Sequence, residues 1–181
     1  MKFSNNTPHI SKGLKEFIEQ NISLIEADEF DELYRRAYQH PFDFDVGPLT
    51  HLLYSIDVDP LENLDYIPPD FFEGCDELIE VEIPNHIEYI HESAFYSCDN
   101  LEQIIVPKNI IELDSWSIAG CDHLKKIIIL GDLQKIDRYA FGQNPELQVI
   151  YCTQKTAELI ENTPEWAEAH RMKTIKIEVI R

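Results

Sequence analysis

Cys75, Cys98 and Cys121, with His86, His91 and His123 close to them in the chain, are the residues whose types could do covalent or metal chemistry. A thiolate beside an imidazole is a nucleophile, and thiolates with imidazoles hold zinc. The spacing supports neither. No C-x-x-C pair and no H-x-x-x-H pair occurs, so no local element supplies the ligands of a tetrahedral site. There is no G-x-S-x-G nucleophile turn and no phosphate-binding glycine loop. Carboxylates abound, but nothing in their pattern sets two apart as acid and base, and no Asp-rich loop with a turn glycine suggests calcium. Catalysis, a cofactor and a metal are therefore not expected.

What the cysteines do have is a period. Cys75, Cys98, Cys121 and Asn144 stand 23 residues apart, and each is followed three positions later by a leucine, Leu78, Leu101, Leu124 and Leu147. A short recurring unit cannot close a core alone; it stacks on its neighbours and puts equivalent positions in rows. Behind each leading Cys or Asn comes a strand-like alternation whose inward members are Val81/Ile83, Ile104/Val106, Ile127/Ile129 and Ile150/Cys152. Further apolar rows follow as Ile87/Ile90, Ile110/Leu113 and Leu133/Ile136, then Ala94-Phe95, Ser117-Ile118 and Ala140-Phe141. A degenerate first copy carries Val58, Leu64, Ile67 and Phe71-Phe72, giving four copies plus the opening strand of a fifth. The cysteines become buried turn-fillers, interchangeable with Asn144. Rungs about 4.8 Å apart bring their Cα atoms within disulfide range, but parallel side chains aim badly for one, and reduced thiols are expected.

The segments AFYSCDNLEQIIVPKNIIEL and FFEGCDELIEVEIPNHIEYI resemble the BspA-like leucine-rich repeat family, whose unit runs Ala-Phe, a small residue, Cys, Leu, Ile-x-Ile-Pro and Val/Ile-x-x-Ile. The resemblance covers Ile56 to Cys152. Departures are local: Ile118 stands for Phe, Leu130 for the Pro of Pro84 and Pro107, and Asn144 for Cys. It implies an α/β repeat fold, a short right-handed leucine-rich-repeat solenoid closed by terminal caps. The expected organisation is a helical N-terminal cap over residues 1–54, repeats over 55–152 and a mixed helix and strand cap over 153–181.

Helices are predicted over Lys12–Ala27 behind Ser11, with Leu14, Phe17, Ile18, Ile22, Leu24 and Ile25 mainly on one side, and over a segment carrying Phe30, Leu33, Tyr34 and Ala37 before His40-Pro41. A third is expected around Pro48–Tyr54. After the repeats come a helix at Lys155–Ile160, a turn or two at Pro164–Arg171 and a strand at Lys173–Ile180. Family members are best known on cell surfaces. Here MKFSNNTPHISKGLKEF has no apolar signal core and no run of about 18 apolar residues exists, so a cytoplasmic protein without a membrane span is expected.

Charge is the second signal. The formal balance is −19, and residues 37–107 hold 16 Asp and Glu with no Lys or Arg. Such a surface repels a phosphate backbone, which excludes direct nucleic-acid binding by charge neutralisation. It suits a protein partner with a basic surface, or an acidic decoy of the phage or mobile-element type that fills a nucleic-acid-binding groove. It also serves solubility.

Fixing the inward rows fixes the outward ones, because strand side chains alternate. One outward row reads Asp57, Glu80, Gln103, Lys126, Val149; the other reads Asp59, Glu82, Ile105, Ile128, Tyr151. These ten residues form the expected partner-binding face, acidic at one end and apolar at the other. Exposed apolar surface of this kind marks a contact site; cover by the C-terminal cap or a homo-oligomer would also account for it. Tyr66 and Tyr89, beside Asp65 and Glu88, form a second aromatic stack that serves as platform or flank, and Trp116 and Trp166 are expected to pack.

Overall fold

The computed structural model describes residues 2–3, 12–27, 29–39, 46–55, 61–62, 64–163 and 175–180. Three helices precede the repeats: α1 (Lys12–Glu26), α2 (Phe30–Gln39) and α3 (Val46–Ser55). They form where the apolar spacing predicts, with one difference. Ile22 is exposed and Asn21 takes the inward position. Asn21 leaves helical geometry (φ −121°, ψ 16°). Its Nδ2 donates to the Phe17 carbonyl at 2.9 Å and its Oδ1 accepts from Arg36 at 3.0 Å. An amide that bonds the carbonyl four residues back competes with the helix backbone, and the kink follows.

The helices meet the first turn of the solenoid through a buried relay. Thr50 donates its hydroxyl proton to the Phe71 carbonyl at 2.6 Å, so at 2.7 Å the Tyr34 hydroxyl must donate to Thr50. The Tyr34 and Phe71 rings stack at 4.4 Å. An apolar solenoid end left open would meet water; here aromatic and hydroxyl contacts from α2 and α3 reach it.

The repeats build two parallel ladders. The short strands β2 (Tyr66–Ile67), β4 (Tyr89–Ile90), β6 (Glu112–Leu113) and β8 (Lys135–Ile136) pair in that order. The longer strands β3 (Leu78–Glu82), β5 (Gln103–Val106), β7 (Lys126–Ile129) and β9 (Val149–Cys152) form the main sheet. Its register advances by one period per strand, Val81 opposite Ile104, Ile127 and Ile150. All eight residues of these inward rows, Val81/Ile83 to Ile150/Cys152, are buried. About 1.5–3 kcal/mol for each fully buried aliphatic side chain makes these rows the main source of cohesion.

The corners also form ladders. Phe72 N–H donates to Ala94 O at 2.8 Å, Phe95 N–H to Ser117 O at 2.9 Å and Ile118 N–H to Ala140 O at 2.8 Å. The residue before each Cys or Asn adopts positive φ: Gly74 67°, Ser97 54°, Gly120 69° and Gln143 55°. At Gly120 a side chain would also press on Tyr96 and on the Ser97 backbone, so glycine is the natural occupant there. Leu130, in the proline row, has an N–H that proline lacks and uses it on Val106 O at 3.0 Å. Its side chain is exposed.

Two strands complete the main sheet. β1 (Lys2–Phe3) lies antiparallel against β3, with Lys2 opposite Glu80. β10 (Lys176–Val179) lies parallel to β9, within the strand predicted at Lys173–Ile180. Between β9 and β10, α4 (Gln154–Asn162) starts at Thr153, whose side chain accepts from Thr156 N–H. The Pro164–Arg171 turn and Trp166 lie outside the described residues.

Candidate protein-binding face

The cysteines fall where the period puts them. All four are free and buried. Cys98 Sγ donates to Phe72 O at 3.1 Å and Cys121 Sγ to Phe95 O at 3.2 Å. Asn144 does the same work one rung on, donating to Ile118 O at 2.9 Å, and its Oδ1 also accepts from Cys121 N–H at 2.9 Å. Burial pushes the Cys75 and Cys98 thiols well above their usual range and lifts Cys152 to about 11. Thiols in this setting are poor nucleophiles. The histidines face other partners: His86 Nε2 meets Leu61 O at 2.9 Å, His91 meets Asp114 at 3.3 Å and His123 meets Glu146 at 3.5 Å. Among the described residues no group of three or more His, Cys, Asp or Glu is placed to hold a metal ion.

The flanks are tied in the same way, one period apart. Lys125 pairs with Glu102, Lys135 with Glu112 and Lys155 with Asp132. Lys155 and Thr153 hold the Asp132 carboxyl below the usual carboxylate range. Trp116 has positive φ (58°), an unusual setting for a bulky residue. Its ring stacks on Tyr139 at 5.0 Å and meets Tyr96 edge-on at 6.0 Å, while Arg138 lies 4.5 Å over the Tyr139 ring. The faces of that stack are largely occupied by one another. Tyr66 and Tyr89 sit opposite each other in the short ladder with His91 against both rings.

The outward side of the main sheet carries the predicted rows. Glu80 stands opposite Gln103, Lys126 and Val149, and Glu82 opposite Ile105, Ile128 and Tyr151. The two glutamates are exposed and the other six side chains are half-buried. Asp57 and Asp59 lie outside the described residues, and the strand beside β3 on that side is β1. β10 lengthens both rows, Lys176 opposite Val149 and Glu178 opposite Tyr151, and those two charges pair with each other. Sequence reasoning saw the strand but not that it would extend this face. Among the described residues, β10 adds to the edge of the sheet and does not fold over it.

Six copies of the BspA type leucine rich repeat region match residues 56–177. The chain belongs to the BspA-type leucine-rich repeat family. No curated protein and no solved structure matches it. Leucine-rich repeats of this kind are typically non-enzymatic scaffolds for protein–protein contact. The family match runs past Cys152, and the geometry shows how. Thr156 falls one period after Leu133, accepts from its N–H at 2.9 Å and donates to Gly131 O at 2.9 Å. The first turn of α4 thus takes the place of the next rung. Among the described residues no helix is long and apolar enough to cross a membrane.

Proposed function

We propose that this BspA-type repeat protein is a non-enzymatic recognition module whose main-sheet face binds a protein with a basic surface. Glu80 and Glu82 select the cations, and Ile105, Ile128, Val149 and Tyr151 supply the area removed from water. The observation that carries this reading is the register: acidic, mixed and apolar residues occupy adjacent rungs of one continuous surface. The exposed Glu82 carboxylate has no ion-pair partner among the described residues and is open to a cation on the partner.

The test is capture of partners from native lysate by the parent and by two variants, Glu80→Lys/Glu82→Lys and Ile128→Asp. The expected result is that both lose the same captured protein. Retention by both refutes the face. A captured protein that DNA displaces, with steep salt dependence, points instead to the acidic decoy, for which the run of 16 carboxylates without a Lys or Arg speaks. A molecular mass that rises with concentration and falls with Tyr151→Asp points to a homo-oligomer.

A further inference from the structure

Resting on that reading, we infer that the occupant of the face is an amphipathic helix lying across the strands, with a Lys or Arg one turn beyond its apolar stripe. The outer row Glu82, Ile105, Ile128, Tyr151 crosses four neighbouring strands. Strand spacing of about 4.8 Å puts the three apolar members across about 9.6 Å. Helix positions i, i+3 or i+4, and i+7 span about 10.5 Å at 1.5 Å per residue, and that is the anchor pattern of a helix in a groove. An extended peptide crossing the strands advances about 3.3 Å per residue and would alternate its side chains toward and away from the row, a poorer match to three consecutive apolar rungs.

Charge fixes the rest of the occupant. Glu82 continues the row one rung beyond Ile105, so a cation one helical turn past the stripe lands on it, with Glu80 alongside. Lys126 stands beside Ile128 on the same strand, two positions away, and favours an acidic residue on that flank of the helix. Among the described residues neither Glu82 nor Lys126 has an ion-pair partner. At the far end Lys176 and Glu178 neutralise each other, so the cation is drawn to Glu82.

The probe is a labelled synthetic helix with Leu at i, i+3 and i+7, Glu on one flank and Lys-Arg one turn beyond the stripe, made in both chain directions and titrated against the full-length protein by fluorescence anisotropy. Expected are binding by one direction, a loss of about tenfold or more with Ile128→Asp or Tyr151→Asp, and a loss of about tenfold with Glu82→Lys. A peptide carrying Glu in place of Lys-Arg should then regain affinity for Glu82→Lys. No binding by either direction at about 1 mM overturns the inference, as does equal binding by a proline-broken peptide of the same composition. If the probe fails while lysate capture still depends on Ile128, the helical occupant is wrong and the face stands. If neither depends on Ile128, both fall.

Discussion

Replacing Asn144 tests how the solenoid corners are held. Asn144 is almost fully buried and makes three hydrogen bonds at the corner: Cys121 N–H to its Oδ1 at 2.9 Å, and its Nδ2 to Ile118 O at 2.9 Å and Phe141 O at 3.0 Å. Asn144→Ala removes all three and strands the Cys121 N–H away from water. At about 1 kcal/mol net per bond, with a further cost for the stranded donor, the loss is about 3 to 4 kcal/mol. Asn144→Cys restores the residue of the other rungs, and the thiol-to-carbonyl bonds of Cys98 and Cys121 show that a cysteine here would reach Ile118 O. What it gives up are the amide's bonds with Cys121 N–H and Phe141 O, so its cost is lower by one bond, about 2 to 3 kcal/mol. Equilibrium urea unfolding, followed by far-ultraviolet circular dichroism, reads both as a fall in midpoint at constant slope. An Asn144→Ala protein within about 1 kcal/mol of the parent, or an Asn144→Cys protein no better than Asn144→Ala, would refute the account of the corners.

Two further predictions concern the same core. Ser117 occupies the small-residue row of Ala94 and Ala140, and its buried hydroxyl has no hydrogen-bond partner among the described residues; Ser117→Ala should therefore stabilise by about 1 kcal/mol, and an unchanged or lower urea midpoint counts against it. Burial raises the Cys75, Cys98 and Cys152 thiols above their unfolded values near 9.0. For a group raised in the folded state, the stabilising contribution is complete below the unfolded pKa and is lost as pH rises through the folded one. The urea midpoint should fall above about pH 9, and less steeply in Cys75→Ala/Cys98→Ala; identical slopes would exclude the thiols as the cause.

The repeat frame was legible because it is written many times over. Each inward row has three or four equivalent residues, and a single departure such as Asn144 or Leu130 cannot shift a period that the others fix. The helices were legible by the same periodic logic, but Ile22 was not placed correctly. Hydrophobicity favours Ile22 inward, and nothing in a local pattern reveals that Asn21 is held by Arg36, fifteen positions away. β1 is two residues long, too short to show alternation, so its pairing with β3 had no signal. The charged flank pairs could have been found from the period alone, since Glu102/Lys125, Glu112/Lys135 and Asp132/Lys155 each stand 23 apart. On the candidate face the order of residues was legible, while the half-burial of Ile105 and Ile128 comes from neighbouring strands that shade them.

The corner bonds, flank ion pairs and strand ladders reach from one coil to the next. Duplication or excision of a whole coil would therefore leave the remaining joints chemically unchanged. A lineage can lengthen or shorten its recognition surface in steps of about 4.8 Å, much as a ruler is cut at its marks, while a gain of one residue inside a strand would turn its outward side chains into the core.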